Sequence, residues 1–250
     1  MIEKARSPSA VLLLACFWLS PASATTDYRI ETFAEGPEYP WSMAFLPDGR
    51  MLVTERGGRL RIIAASGQLQ EQAVGGLPEI YATSQAGLLD VVLDPEFEQN
   101  QRIFFSYSYG DRSANNTRLA SARLVDGQLQ DVKTLFTALP AKAGSSHYGG
   151  RIAFLPDNSL LLTLGDGFDY REQAQDLSNH LGKIVRINRD GSVPEDNPFV
   201  DVKDAAPEVY SYGHRNVQGI VYAPQLKRVY SHEHGPRGGD ELNLIKPGVN

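Results

Sequence analysis

Short apolar runs separated by polar turns make up most of the chain, and few show the 3.6-residue spacing of an amphipathic helix. The clearest unit is 41–56, where an apolar strand, a Pro-Asp-Gly turn and a second strand follow one another. The predicted strand-bearing segments are 41–56 with 59–63, 87–95 with 102–109 and 117–124, 147–166 with 182–188, and 217–224 with 228–233 and 241–245. The pattern predicts an all-β protein built from about four copies of one unit.

A proline recurs at the same turn of each unit, at intervals of about 50 to 70 residues, which is the size of a repeat with three or four strands. These prolines are Pro47, Pro95, Pro156 and Pro224. Repeats of this size predict a β-propeller, in which neighbouring sheets bury each other's faces around an axis. A β-sandwich with similar hairpins is the alternative. The widening intervals indicate loop insertions at 169–180 and 193–206, and long loops on one face of a repeat scaffold usually build the site.

Four units do not comfortably close a ring, and residues 247–250 follow directly on a predicted strand. An open propeller would leave unpaired sheet edges and exposed sheet faces. We therefore expect the chain to be the N-terminal part of a longer protein, and residues 25–250 to form a partial propeller domain.

The first 24 residues have the features of a secretory signal peptide: a basic start, an apolar core over 11–19 and small residues before a cleavage site after Ala24. An uncleaved anchor and a lipoprotein signal at Cys16 are the alternatives. Cys16 is the only cysteine, so we expect no disulfide in the mature protein. The signal predicts a periplasmic or secreted protein. No later apolar run is long enough to span a bilayer, and the net charge of −6 argues against a nucleic-acid surface.

One hairpin carries candidate acid–base chemistry. His147 directly precedes one predicted strand and Asp166 directly follows the next, so hairpin pairing would bring both side chains to the same end of the sheet. A histidine oriented by a carboxylate is a general base that can be tuned near neutral pH. A hydrogen-bonded structural histidine is the alternative interpretation.

Five segments taken together resemble one family. They are 149–152 (GGRI), 163–166 (TLGD), 181–187 (LGKIVRI), 212–219 (YGHRNVQG) and 233–243 (EHGPRGGDELN). In this order, within the stretch from about Pro37 to Asn250, they resemble the soluble aldose sugar dehydrogenases, which are related to the soluble glucose dehydrogenases. The resemblance implies a periplasmic six-bladed propeller that uses pyrroloquinoline quinone and calcium. It also implies that the last blades are absent here.

The resemblance implies a role for each candidate residue. His147 would be the base that takes the proton of the C1 hydroxyl of an aldose while hydride passes to the quinone, with Asp166 orienting its ring. The remaining residues are Gln85, Arg215 and Asn216 at the cofactor, Gly235 and Pro236 as carbonyl ligands of calcium, and Glu241 at a second calcium site. The product would be a lactone, and an external acceptor would take the electrons.

Other functions remain open at the sequence level. His232 and His234 share one face of a strand and could bind zinc, although no third ligand is evident nearby. A non-catalytic extracellular propeller that binds carbohydrate or protein is the main alternative function. A calcium-dependent lactone hydrolase is a further one, but it would need several axial carboxylates or asparagines.

Overall fold

The computed structural model describes residues 28–250. Residues 28–32 belong to a first unit, have neither helix nor strand, and contain an ion pair of 2.9 Å between Arg29 Nε and Glu31 Oε1. The second unit is Phe33–Asn250, and it carries every sheet described below. The predicted signal peptide, with its alternatives at Cys16, lies outside the described residues. Between residues 28 and 250, no helix is long and apolar enough for a bilayer crossing.

Fourteen strands form four antiparallel sheets in this part of the chain. The strands are β1 (Pro40–Phe45), β2 (Met51–Glu55), β3 (Arg59–Ile63), β4 (Leu88–Leu93), β5 (Arg102–Gly110), β6 (Asn115–Val125), β7 (Gln128–Thr137), β8 (Ile152–Phe154), β9 (Leu160–Thr163), β10 (Lys183–Ile187), β11 (Val209–Tyr212), β12 (Val217–Ala223), β13 (Arg228–Glu233) and β14 (Glu241–Ile245). The sheets are β1–β3, β4–β7, β8–β11 and β12–β14, each in sequence order. A short helix, α1 (Phe97–Asn100), precedes β5, and a 3-10 segment, Arg171–Gln175, follows β9.

The repeated proline lies between the first and second strands of every sheet. In two of these turns the next residue is an aspartate that accepts a backbone hydrogen bond. Asp48 Oδ1 accepts from Arg50 N at 3.0 Å, and Asp157 Oδ1 accepts from Ser159 N at 2.9 Å. A side chain that bonds the backbone two residues on stabilises a tight turn, which explains why Pro-Asp recurs at this place.

Each sheet buries its two faces against different neighbours. On β5, Phe105 packs toward the first sheet while Phe104 packs toward the third. On β9, Leu160 and Leu162 face the second sheet and Leu161 faces the fourth. The first strands contact one another in sequence order, β1 with β4, β4 with β8 and β8 with β12. Sheets that follow one another with their first strands in contact form a propeller. The propeller prediction is therefore confirmed, and the sandwich alternative is wrong.

Two strands were not predicted. Strand β7 has mostly exposed residues and a polar sequence, because it is the outer edge of its sheet. Strand β11 has only four residues and follows the long insertion after β10. An outer strand needs few apolar residues, so alternation is weak there.

Candidate functional site

The structure brings His147 and Asp166 into contact at one end of the third sheet. The Nδ1 atom of His147 lies 2.7 Å from Asp166 Oδ1, and both residues are buried, with exposed fractions of 5% and 3%. Two backbone groups fix the aspartate: Phe168 N donates to its Oδ1 at 2.8 Å, and Asp166 N donates to the Arg215 carbonyl at 2.8 Å. A carboxylate that accepts from Nδ1–H leaves Nε2 as the free ring nitrogen.

The backbone of His147 is held in a conformation that few residues with a Cβ adopt, with φ at 54°. Its N–H donates to the side chain of Gln85, 2.8 Å from Oε1. Its carbonyl lies so close to Gly165 that a Cβ on that glycine would be 2.2 Å away. The site therefore depends on a glycine at 165, directly before Asp166, and on the amide of Gln85 from the loop before β4.

His147 lines a cavity of about 570 Å³, which lies within the size range of small-molecule sites. The other lining residues are Asp166, Phe168, Arg171, Ala174, Gln175, Gly213, His214, Arg215, Pro236 and Arg237. The Phe168 ring meets the His147 ring edge-on, with centroids 5.1 Å apart, and is itself 50% exposed. The cavity thus joins a buried histidine, a half-exposed aromatic ring and three guanidinium groups.

Glu233 fixes the turn that carries Arg215 and Asn216. Its Oε2 accepts the backbone N–H groups of both residues, and its Oε1 accepts from His214 Nδ1 at 2.9 Å. Burial alone would raise the pKa of Glu233, but the hydrogen bond and charge of His214, together with the two backbone donors, lower it below its usual value. A buried carboxylate held ionised in this way locks the turn against β13.

The Arg215 side chain reaches across to the following loop, where its Nη1 donates to the His234 carbonyl at 2.9 Å. Asn216 uses its Oδ1 to accept from Gly149 N and from Gln218 Nε2, each at 3.1 Å. Gln85 and Asn216 line a second cavity of about 240 Å³ rather than the one lined by His147 and Arg215. The structure therefore gathers His147, Asp166, Arg215 and Pro236 at one cavity and places the two amides at another.

Lys142 is a buried cation near the His147–Asp166 pair. Its Nζ donates to Asn115 Oδ1 at 3.1 Å and lies 3.9 Å from the centre of the Tyr148 ring. Burial lowers the pKa of Lys142 to about 8, although the nearby Asp166 carboxylate acts in the opposite direction. Burial also raises the pKa of Tyr148, whose hydroxyl donates to the same Asn115 oxygen at 2.6 Å.

The predicted calcium residues lie on or beside the loop after β13. Gly235 N donates to Asp240 Oδ1 at 3.0 Å, and Pro236 lines the larger cavity. Glu241 is exposed at the start of β14, where its Oε2 accepts from Asn243 Nδ2 at 3.0 Å. Within residues 28–250 no three His, Cys, Asp or Glu side chains cluster as metal ligands. His232 and His234, the alternative zinc pair, therefore have no third ligand of these types among the described residues.

Sequence reasoning assigned no site role to Phe168, Arg171 or Lys142, and considered Glu233 only beside the zinc histidines. Alternation along β13 could have found Glu233, because Val229, Ser231 and Glu233 are buried while Arg228 and His232 are exposed. A carboxylate on a buried strand face needs hydrogen-bond donors, so its presence in the sequence indicates a structural or functional role. Nothing in the local sequence marks Phe168, Arg171 or Lys142 as a site residue.

Comparisons with known proteins identify the family of this chain. Residues 37–250 match the family described as Glucose / Sorbosone dehydrogenase. The aldose sugar dehydrogenase YliI of Escherichia coli is 39% identical over 244 residues, covering 96% of this chain and 64% of that protein. Quinoprotein glucose dehydrogenase B of Acinetobacter calcoaceticus is 30% identical over 241 residues, covering 84% of this chain and 49% of that protein. The chain spans about half to two thirds of the length of these curated relatives.

Solved structures give the same result. The apo-form of the soluble aldose sugar dehydrogenase from Escherichia coli has a TM-score of 0.84 and 40% identity, over 88% of this chain and 64% of that one. The PQQ-bound form of an aldose sugar dehydrogenase from Streptomyces coelicolor has a TM-score of 0.77 and 33% identity, over 88% and 64%. With its propeller sheets and the family match over residues 37–250, this chain belongs to the glucose/sorbosone dehydrogenase family.

Proposed function

We propose that this protein oxidises aldose sugars at C1 to lactones, using pyrroloquinoline quinone and calcium, with His147 as the general base. The observation that carries the proposal is the His147–Asp166 pair at the edge of the larger cavity. Asp166 holds Nδ1 at 2.7 Å, so Nε2 is the nitrogen available to a ligand in the cavity that His147 lines. The aldose sugar dehydrogenase and glucose dehydrogenase relatives support the reaction class.

His147 takes the proton of the C1 hydroxyl on Nε2, and the Asp166 carboxylate stabilises the imidazolium that forms. Asp166 needs no reorientation in this step, because Phe168 N and the Arg215 carbonyl already fix its position. Bound pyrroloquinoline quinone would supply the two-electron acceptor that takes the hydride from C1. The sugar loses one hydride and one proton and becomes the lactone.

The residues present fit a polyanionic quinone. Arg215 and Arg237 line the cavity and offer charge-assisted hydrogen bonds to carboxylates. The amide groups of Gln85 and Asn216 use their oxygens within the protein, whereas Gln85 Nε2 and Asn216 Nδ2 donate to no group among residues 28–250. We propose that Arg215, at the larger cavity, together with Asn216 and Gln85, at the smaller one, holds the cofactor. The PQQ-bound relative from Streptomyces coelicolor supports pyrroloquinoline quinone as the cofactor.

Calcium fits the chemistry of the loop after β13 in part. Calcium binds about six to eight oxygen ligands and accepts backbone carbonyls. The carbonyls of Gly235 and Pro236 accept no hydrogen bond from the described residues, so both are available to a cation. We propose that they contribute two ligands, and that Glu241 contributes to a second, structural calcium site.

We further propose that the protein acts in the periplasm or outside the cell and passes its electrons to an external acceptor. The signal-peptide pattern of residues 1–24 supports export. A two-electron oxidation needs an acceptor to restore the quinone.

The experiment is dye reduction by the purified protein after loading with pyrroloquinoline quinone and calcium, across a panel of neutral aldoses. We expect aldose-dependent turnover that is abolished by a calcium chelator. His147→Ala should lower kcat by about 100- to 10,000-fold, because the proton acceptor is removed. Ser146→Ala is the matched control, since Ser146 precedes His147 and is assigned no role.

Two results would overturn the proposal. If the protein loaded with pyrroloquinoline quinone and calcium turns over no aldose, a non-catalytic propeller becomes the better hypothesis for its function. If His147→Ala keeps full activity, His147 is not the base.

A further inference from the structure

The cavity beside His147 carries much more positive charge than the chain as a whole. The protein has a net charge of −6, yet Arg171, Arg215 and Arg237 all line this cavity. Among residues 28–250, the only carboxylate that lines it is Asp166, which is buried and bonded to His147. A concave site lined by one sign of charge concentrates ligands of the opposite sign. The cavity therefore favours the binding of anionic ligands.

Arg171, like Arg237, makes no ion pair or side-chain hydrogen bond among residues 28–250. It is exposed, and among residues 28–250 no carboxylate oxygen lies within 4.0 Å of its guanidinium nitrogens. Asp169 and Glu172 flank it along the chain, but neither lines the cavity. Arg215, by contrast, is tied to the His234 carbonyl. An unpaired guanidinium at the edge of a small-molecule cavity is a ready carboxylate or phosphate ligand.

The 3-10 segment that begins at Arg171 is firmly anchored. Lys183, fully buried, donates from Nζ to the Gln173 carbonyl at 2.8 Å. The Ala174 carbonyl accepts from Gly213 N at 2.9 Å, and Ala174 lies so close to Gly182 that a Cβ there would be 2.6 Å away. Upstream, Tyr170 accepts from Ala143 N at 3.1 Å. Arg171 is thus presented on a fixed turn, and pre-organisation of this kind lowers the entropy cost of binding.

Phe168, from the same loop, places an exposed aromatic ring against the His147 ring. The face of an aromatic ring is apolar and carries a partial negative charge, which suits contact with the C–H groups of a sugar ring. The loop that carries Phe168 and Arg171 is separate from the loops that carry Arg215 and Gly235–Pro236. One loop therefore joins a stacking surface, a cation and contact with the proposed base, apart from the proposed cofactor residues.

We infer that Phe168 and Arg171 form a substrate subsite for aldoses that carry an anionic group away from C1, with Arg171 binding that carboxylate or phosphate. The inference rests on the proposed function, because C1 is taken to face His147. The oxidation itself is unchanged: the C1 hydroxyl proton would go to His147, bound quinone would supply the acceptor for the C1 hydride, and the anionic group would remain intact. Arg171 is a specificity-determining residue and takes no part in proton transfer.

The test uses sugars that differ at one carbon: D-glucose, D-glucuronate and D-glucose 6-phosphate. We expect the wild-type protein to bind at least one of the two anionic sugars more tightly than glucose, as measured by calorimetry without added quinone. In Arg171→Gln the Kd for that sugar should rise by about 10- to 100-fold, the usual effect of losing a charge-assisted bond. The ratio of kcat/KM for that sugar to kcat/KM for glucose should fall by the same factor in the loaded enzyme.

Two control variants separate charge from position. Arg171→Lys keeps the charge and should retain most of the preference. Arg228→Gln removes an exposed arginine at the opposite end of β13 from Glu233, and it should leave the ratio unchanged. The preferred anion, carboxylate or phosphate, is read from which sugar loses affinity in Arg171→Gln.

The outcomes distinguish this inference from the proposed function. If the loaded enzyme oxidises glucose but neither binds nor oxidises the anionic sugars preferentially, the subsite is wrong and the dehydrogenase stands. If anionic sugars bind through Arg171 but no aldose is oxidised, the subsite stands and the dehydrogenase is wrong. If Arg171→Gln instead weakens quinone binding and leaves the sugar ratio unchanged, Arg171 belongs to the cofactor and the inference fails.

Discussion

Two histidine–carboxylate pairs lie side by side at this site, and only one can act as a base. His147 pairs with Asp166 and His214 pairs with Glu233. In each pair the two residues are 19 positions apart in the sequence. The second ring also has its Nε2 engaged, 2.9 Å from Ser211 Oγ. His147 has one nitrogen bonded and one available, whereas both nitrogens of His214 are occupied. The same two residue types therefore give an acid–base group in one place and a structural clamp in the other.

Glu233→Gln tests the clamp through its pH dependence. Because the folded-state pKa of Glu233 is lowered, the carboxylate stabilises the fold at pH values above about 4.5, and this contribution is lost as the pH falls through the folded-state pKa. The variant should lose roughly 1–3 kcal/mol of unfolding free energy at pH 7. Denaturant unfolding at pH 7 and at successively lower pH measures both the loss and the flatter pH dependence.

Glu241→Gln is the matched control, because Glu241 lies directly opposite Glu233 in the β13–β14 register yet is exposed. In calcium-free buffer it should change the unfolding free energy little. Equal losses in the two variants would mean that the hydrogen bonds to His214, Arg215 and Asn216 do not stabilise the fold.

At the scale of single elements, the anchoring of the 3-10 segment depends on a lysine inside the protein. Lys183 Nζ donates to the carbonyls of Gln173 and Leu181 at 2.8 and 2.7 Å, and burial lowers its pKa to about 8. Lys183→Met leaves both carbonyls without this donor, so the unfolding free energy should fall by about 1–3 kcal/mol. Hydrogen exchange at Gly213 N, which donates to the Ala174 carbonyl, should accelerate. Lys203→Met, on an exposed side chain, should do neither.

The same elements show what the sequence could predict. His147 and Asp166 flank two paired strands of one hairpin, so local periodicity was enough to predict their meeting. Arg171 reaches the cavity through a 3-10 turn held by Lys183 and Gly213, contacts that no local pattern encodes. Glu233 accepts a backbone hydrogen bond from the turn that precedes β12, and the register between β12 and β13 places it there. Strand periodicity predicted the sheets, while contacts made by the loops remained unpredictable.

At the scale of the molecule, apolar layers between successive sheets hold the second unit together. The layer between the first two sheets includes Leu52, Leu88 and Phe105, and the next includes Phe104, Leu160 and Val185. The two outermost sheets have apolar side chains that no such layer covers. These are Met43 and Phe45 on β1, with Val221, Leu242 and Leu244 on β12 and β14.

These two faces should make the 250-residue chain self-associate. Phe45 is 67% exposed and Leu242 is 77% exposed, and exposed apolar side chains on an uncovered sheet face promote association. We expect the weight-average mass in sedimentation experiments to rise with protein concentration. Phe45→Ser combined with Leu242→Ser should lower it, whereas Leu226→Ser, at an exposed leucine in the β12–β13 turn, should not. A chain that stays monomeric over the whole concentration range would show that these faces are too small or too well solvated to associate.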